Sequence, residues 1–225
     1  MAQETARKAG SEAITQTASD LPPTRKGKAT REKLLASASV AFGQHGYSAV
    51  RIADIVAEAN ISHGLFYRHF QDKDAILLAL LDRLNDNLRR TSSRAMGEND
   101  ALSLSRLESR NIQFFTDYRR DRLLLRVARE AAAQQNLSRF RTVWLQMRDR
   151  FVDRTERWIN RLVEAGDVPP IDDIAMVAQG LCSLTEQLAY VQVGLAPDDP
   201  DDAFIERLGK SCGLIWYRTL IGAPR

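Results

Sequence analysis

The chain is 225 residues long, with 44% hydrophobic and 27% charged residues, which allows a real core in one domain or two and argues against a disordered chain. No run approaches the roughly 20 apolar residues of a membrane span, no apolar leader stands at the start, and two cysteines (Cys182, Cys212) do not build a disulfide framework. A cytoplasmic protein without a membrane association is expected. The net charge of +3 is unevenly spread: residues 24–73 carry eight basic side chains against four acidic ones and all three histidines, whereas 74–225 holds equal numbers of each sign. A basic module on a neutral body is the footprint of a phosphate-binding domain.

Residues 1–23 are rich in Ala, Ser, Thr and Gln and close on Pro22-Pro23; they read as a disordered tail. The run Thr24 to Lys28 is either a flexible arm that touches DNA or a solvated tail. From Thr30 onward the pattern is helical, with no sustained period-two alternation. Thr30 is the expected N-cap of the first helix, and Glu32 lies in its first turn. Leu34, Leu35, Ala38, Ala41 and Phe42 share one face. Gly46 stands where a helix-ending glycine belongs.

Residues 50–73 are the densest in information. Ile52, Ile55 and Val56 give a short helix one apolar face. A turn follows at 58–61, with Asn60 where a left-handed backbone is wanted. Ser62 is a good N-cap for the next helix, and Ile61 and Phe66 stand at the spacing of a hydrophobic staple. Phe66 and Phe70 are four apart and point inward. Ser62, His63, Gly64, Tyr67 and Arg68 are left outside. Two short helices joined by a tight turn, the second with small and polar residues on its exposed N-terminal face, make a DNA-reading helix-turn-helix.

The run Ile55-Val-Ala-Glu-Ala-Asn-Ile-Ser-His-Gly-Leu-Phe-Tyr-Arg-His-Phe-Gln-Asp-Lys73 resembles the signature of the TetR family of repressors, and Ala41-Phe42 with Gly46-Tyr47 fits that family's first helix. The strong likeness covers about residues 30–77. It implies an all-α protein: a helix-turn-helix domain over 24–73 and a helical ligand-binding and dimerisation domain over 74–225. It also implies roles by position. Ser62, His63, Gly64 and Leu65 should lie nearest the bases, and Tyr67 and Lys73 should touch phosphates, with Arg68 on the same outer face. The sequence departs from the family where Val50-Arg51-Ile52 replaces a usual hydroxyl residue, and Arg51 is the candidate to supply that phosphate contact. Val56 stands where Ala is usual. Leu65 stands where a small or hydroxyl residue is common, and could meet a thymine methyl. His69 reads as a structural histidine rather than a base reader; His63 is either at a base edge or simply solvated.

Beyond residue 72 the pattern predicts a long helix, a break at Glu98-Asn99-Asp100, and helices over about 102–118, 123–135, 138–165, 171–195 and 201–221. The last two carry wide apolar faces with lines of small residues. Leu181, Leu184, Leu188, Leu208, Cys212, Ile215 and Trp216 are expected at a four-helix homodimer interface, the alternative being an intramolecular bundle. A two-fold dimer implies a near-palindromic double-stranded DNA operator. The middle helices supply a candidate effector pocket of Phe114, Phe115, Tyr118, Arg126, Trp144, Met147, Phe151, Glu186 and Tyr190, suited to a largely apolar small molecule, the alternative being plain core. A looser likeness over 149–161 and 214–222 to a lipid- and sterol-catabolism branch suggests an acyl, steroid-like or acyl-coenzyme A ligand.

No glycine-rich phosphate loop, GxSxG, HExxH or CxxC pair occurs, so no catalytic residue, metal or cofactor is expected. Both cysteines read as small buried residues. Asp198, Asp199, Asp201 and Asp202 suit an acidic loop and first helical turn better than a cation site. The implied mechanism is repression relieved by ligand, with the fourth helix as the lever between reading head and pocket.

Overall fold

The computed structural model describes residues 24–95, 102–134 and 138–222, which form helices and no strands. The expected tail over 1–23 and the break at 98–100 lie outside the described residues. In chain order the helices are α1 (Arg25–Ala49), α2 (Ile52–Glu58), α3 (His63–Tyr67), α4 (Lys73–Ala95) and α5 (Leu104–Arg120). They continue with α6 (Arg122–Ala133), α7 (Ser138–Ala165), α8 (Ile174–Ala189) and α9 (Asp202–Ile221).

Two boundaries differ from the sequence reading. Helix α1 begins at Arg25, because the Thr24 hydroxyl accepts from the Gly27 N–H at 3.1 Å. Thr30 instead sits inside the helix, its hydroxyl donating to the Lys26 carbonyl at 3.0 Å. Arg25, Lys26 and Lys28 are therefore on the first turns of a helix rather than on an extended arm. At the other end α8 runs into a π-helical turn at Tyr190–Gly194 before the chain reverses. Gly46 has φ 74°, as the sequence reading requires, and breaks α1 just before its last residues.

The first three helices form a small head. Leu34, Leu35, Ala38, Phe42, Ile55, Val56, Phe66 and Phe70 are all buried in it. Burial of a side chain of this kind contributes about 1.5–3 kcal/mol, which is what a head of so few residues depends on. Helix α4 is tied to the head at its first turn. The Lys73 ammonium donates to the carbonyls of Tyr47 and Val50, each at 2.9 Å, and lies 4.2 Å from the Tyr47 ring centre. The Tyr47 hydroxyl donates to Asp74.

The body is built around two close pairs, α5 with α9 and α7 with α8. Gly209 and Gly213 let α9 lie directly on α5. A methyl group at Gly209 would stand 2.6 Å from the Ile112 Cα, and one at Gly213 2.7 Å from the Glu108 nitrogen. Helix α6 joins head to body. Leu123 packs on Gly43 of α1, and the Arg126 guanidinium donates to the Gly43 carbonyl at 3.1 Å. Phe140 at the start of α7 sets its ring 5.5 Å from that of Tyr47.

Candidate nucleic-acid interface and effector pocket

The turn between α2 and α3 is shaped by local chemistry. The Asp54 carboxylate accepts from the Arg51 N–H at 2.7 Å and fixes the start of α2. Asn60 adopts φ 48°, the left-handed conformation that reverses the chain. The Ser62 hydroxyl then accepts from the Leu65 N–H at 3.3 Å and starts α3. Phe66 is fully buried and sets its ring 5.9 Å from that of Phe70. With that face fixed, helical geometry puts the others outside. Ser62, His63, Gly64 and Arg68 are exposed, as is Arg51, and Leu65 is half-buried. Tyr67 is 57% exposed although it is a large aromatic side chain. Its ring stands edge-on to that of Phe66, 5.5 Å between centres, with more than half of the residue left in water.

Two residues of the set differ in kind from the rest. Lys73 has two of its three N–H donors taken by the Tyr47 and Val50 carbonyls, which leaves one for a partner outside. Burial pulls its pKa below the usual lysine value, with Asp74 opposing the shift. His69 is half-buried, and burial, with Arg31 and Arg68 adding to it, lowers its pKa. Its ring is therefore held neutral near pH 7, which suits packing rather than phosphate binding.

In the body a cavity of about 110 Å³ opens between α4, α5, α6, α7 and α8. Of the expected pocket residues, Phe114, Tyr118, Trp144, Met147, Phe151 and Glu186 meet there. Phe114 and Phe151 stack, 5.8 Å apart and 7° from parallel. Three expectations are corrected. Phe115 is fully buried core. Arg126 turns away to Gly43 of the head. Tyr190 does not line the cavity; it lies beneath Arg129, whose guanidinium is 3.9 Å from its ring centre.

Sequence reading missed the cations of this cavity. Arg148, Arg150 and Arg154 line it, as does Asn85 of α4. A signal was present for one of them: Trp144, Met147, Phe151, Arg154 and Trp158 follow each other at steps of three and four along α7, so Arg154 shares the face of the aromatics. Arg148 donates to the Ser183 hydroxyl at 2.7 Å, and its Nε lies 3.4 Å from Glu186. Burial raises the Glu186 pKa, while Arg129 and Arg148 pull against that rise.

The expected dimer residues divide. Leu181, Cys212 and Trp216 are buried within the chain itself, at 4%, 0% and 2% exposure, so they are core rather than interface. The physical reason is a polar knot. The Thr185 hydroxyl accepts from Trp216 Nε1 at 2.9 Å, donates to the Leu181 carbonyl and touches the Cys212 sulfur, which locks α8 to α9 inside one chain. Leu184, Leu188 and Leu208 are half-buried, and Ile215 is 42% exposed. Met176, Val191 and Leu195 extend the same apolar exposure along α8 and the turn after it. Both cysteines are buried free thiols, and burial pushes that of Cys182 up to about 11.

Among the described residues no group of His, Cys, Asp and Glu could hold a metal ion, and no helix is long and apolar enough to cross a membrane.

Residues 34–80 match the family of bacterial regulatory proteins called tetR. A helix-turn-helix transcriptional repressor of Mycobacterium tuberculosis is 40% identical over 57 residues, which is 25% of this chain and 30% of that protein. The repressor DhaR of a Mycobacterium species is 30% identical over 79 residues, 35% of this chain and 40% of that one. The matches thus span well under half the length of these relatives. Solved structures match over much more of the chain. A TetR-family regulator from a Rhodococcus species covers 86% of this chain and 100% of its own, with a TM-score of 0.68 and 21% identity. SmeT, in a structure described as a complex with triclosan, covers 88% and 99%, with a TM-score of 0.70 and 20% identity. At that identity the likeness shows fold. Residues 34–80 are the helix-turn-helix module of the tetR family of bacterial regulatory proteins, set in a chain that has the fold of that family's members.

Proposed function

We propose that this protein is a transcriptional repressor that binds a near-palindromic operator as a homodimer and leaves it when a small molecule fills the cavity of the body. The observation that carries the reading is the outer face of α3. Phe66 anchors the helix, and Ser62, His63, Gly64 and Tyr67 stand in solvent on the opposite side. In this reading α3 enters the major groove, with Ser62, His63, Gly64 and Leu65 at base edges. Tyr67, Arg68, Arg51 and the remaining donor of Lys73 meet phosphates.

The dimer is carried by the exposed apolar line of Met176, Val191, Leu195 and Ile215, with the half-buried Leu184, Leu188 and Leu208 beside it. Exposed apolar side chains on helices that close the chain's own core are a reason to pair. The division at residue 73 falls on the first residue of α4. Helix α4 supports its role as lever. Its Lys73 and Asp74 are fastened to the head, and its Asn85 lines the cavity. A ligand that displaces Asn85 changes the angle at which the head is held, and a coupling of about 1–3 kcal/mol is the usual scale of such effects.

The test is selection of bound fragments from random duplex DNA by the purified chain. The reading requires an inverted repeat with half-sites about one helical turn apart. Recovery of fragments with no common sequence would sink it.

A further inference from the structure

The cavity has an uneven lining. One wall is apolar: the stacked rings of Phe114 and Phe151, with Trp144 and Met147 beside them. The other wall is cationic. Arg148 is held in place from three sides. Ser183 accepts from it at 2.7 Å, Glu186 lies 3.4 Å from its Nε, and the Gln179 amide, turned with its oxygen inward, accepts from both Nη atoms at 2.7 and 2.6 Å. Arg129 bears on the same carboxylate. Its Nη2 donates to Gln187 at 2.8 Å, while its Nη1 is buried and has no acceptor among the described residues. Behind them Arg110 lies between the rings of Trp158 and Trp216, at 5.0 and 5.3 Å. Burial and the nearby Arg154 draw its pKa down to about 10.

Two guanidinium groups, Arg129 and Arg148, thus bear on a single carboxylate, Glu186. Arg150 and Arg154 add further cations to the lining, and Asp82 of α4 acts on Arg150 from outside it. A charge removed from water is costly unless an opposite charge meets it. One carboxylate does not balance these two guanidinium groups, and the rings of Phe114, Phe151 and Trp144 across the cavity supply no anion.

We propose that the effector is an organic anion: a carboxylate head at the Arg148 guanidinium, and a flat or linear apolar body against Phe114, Phe151 and Trp144. The inference rests on the reading of this cavity as an effector site and narrows it. An apolar cavity of about 150 Å³ is known to hold one benzene ring, so the 110 Å³ here takes no more than a single ring or a short acyl chain. The head meets a guanidinium already oriented by Gln179 and Ser183, so little ordering is needed on binding.

The experiment is calorimetric titration of the full chain with matched compounds. One set is 3-phenylpropanoate, its neutral amide, 3-phenylpropylamine and 3-phenylpropyl phosphate; a second is octanoate against 1-octanol. The carboxylates should bind about tenfold or more tighter than their neutral partners, the scale of one charged hydrogen bond, and the amine should bind worst. Arg148→Gln should remove that preference, so that carboxylate and neutral amide bind the variant equally. Arg150→Gln, at an exposed position less exposed to folding defects, should weaken it in part. The phosphate binding tighter than the carboxylate would keep the anionic head and move the natural ligand to a phosphate ester. Equal affinity for carboxylate and amide, or tightest binding by the amine, overturns the proposal and leaves the effector site standing. Binding by none of the compounds overturns both.

Discussion

The head and the body of this molecule use the same helical spacing to different ends. In the head each apolar stripe has one side to face, because three helices enclose one small core. Leu34, Phe42, Ile55 and Phe66 go inside, and everything opposite them is left for a partner. In the body α8 and α9 are apolar on two sides. Leu181 and Cys212 face the chain's own core, whereas Ile215 and Leu195 face outward. Periodicity marks a position as apolar, but does not say which of two apolar surfaces it serves.

That contrast can be broken or sharpened by substitution. The largest effect belongs to Phe66→Ala in the head. Removing a fully buried ring should cost about 3–5 kcal/mol, read as a lower urea midpoint together with loss of DNA binding. Next comes Gly213→Val in the body. Its Cβ would stand 2.7 Å from the Glu108 nitrogen and cannot be accommodated by a side-chain shift. A loss of about 1–3 kcal/mol or more is expected, with α5 and α9 parted. Ile215→Glu, only two residues along, should leave the folded protomer intact and shift the sedimentation coefficient from dimer toward monomer. Equal loss of stability in both variants would erase the distinction between inner and outer faces.

The smallest effect concerns His69. Its folded pKa is lowered, so folding favours the neutral ring. The stability this provides is present above the unfolded value of about 6.5 and is lost as the pH falls below it toward the folded pKa. His69→Gln should therefore flatten the fall of the melting temperature between about pH 7 and pH 5, without changing it at pH 8. An unchanged slope would mean that His69 is not desolvated in solution.

Much of the head was legible in the sequence because its signals are local. Asn60 at φ 48°, the Ser62 cap and the inward pair Phe66 and Phe70 each depend on residues a few positions away. The start of α1 was missed for an equally local reason: Thr24 and Thr30 are both good caps, and the structure uses the first. The cavity was legible as a stripe of aromatics on α7, but its charge was not. Arg148 looks like an ordinary surface residue until α8 brings Ser183 and Glu186 against it from about 35 to 40 residues away. The clamp between Arg126 and Gly43 spans 83 positions and has no sequence signature at all.

The account turns on whether the exposed face of α3 reads DNA. Fluorescence anisotropy of a selected duplex and of its scrambled counterpart, at two salt concentrations, with the wild-type chain and Tyr67→Ala, tests this most directly. Tyr67 is exposed, so its loss should leave the melting temperature unchanged. The prediction is salt-sensitive, sequence-selective binding by the wild type, and an affinity lower by about tenfold or more in the variant, the scale of a lost hydrogen bond to a charged phosphate. Equal binding to both duplexes, or a Tyr67→Ala variant that binds as the wild type does, would contradict it.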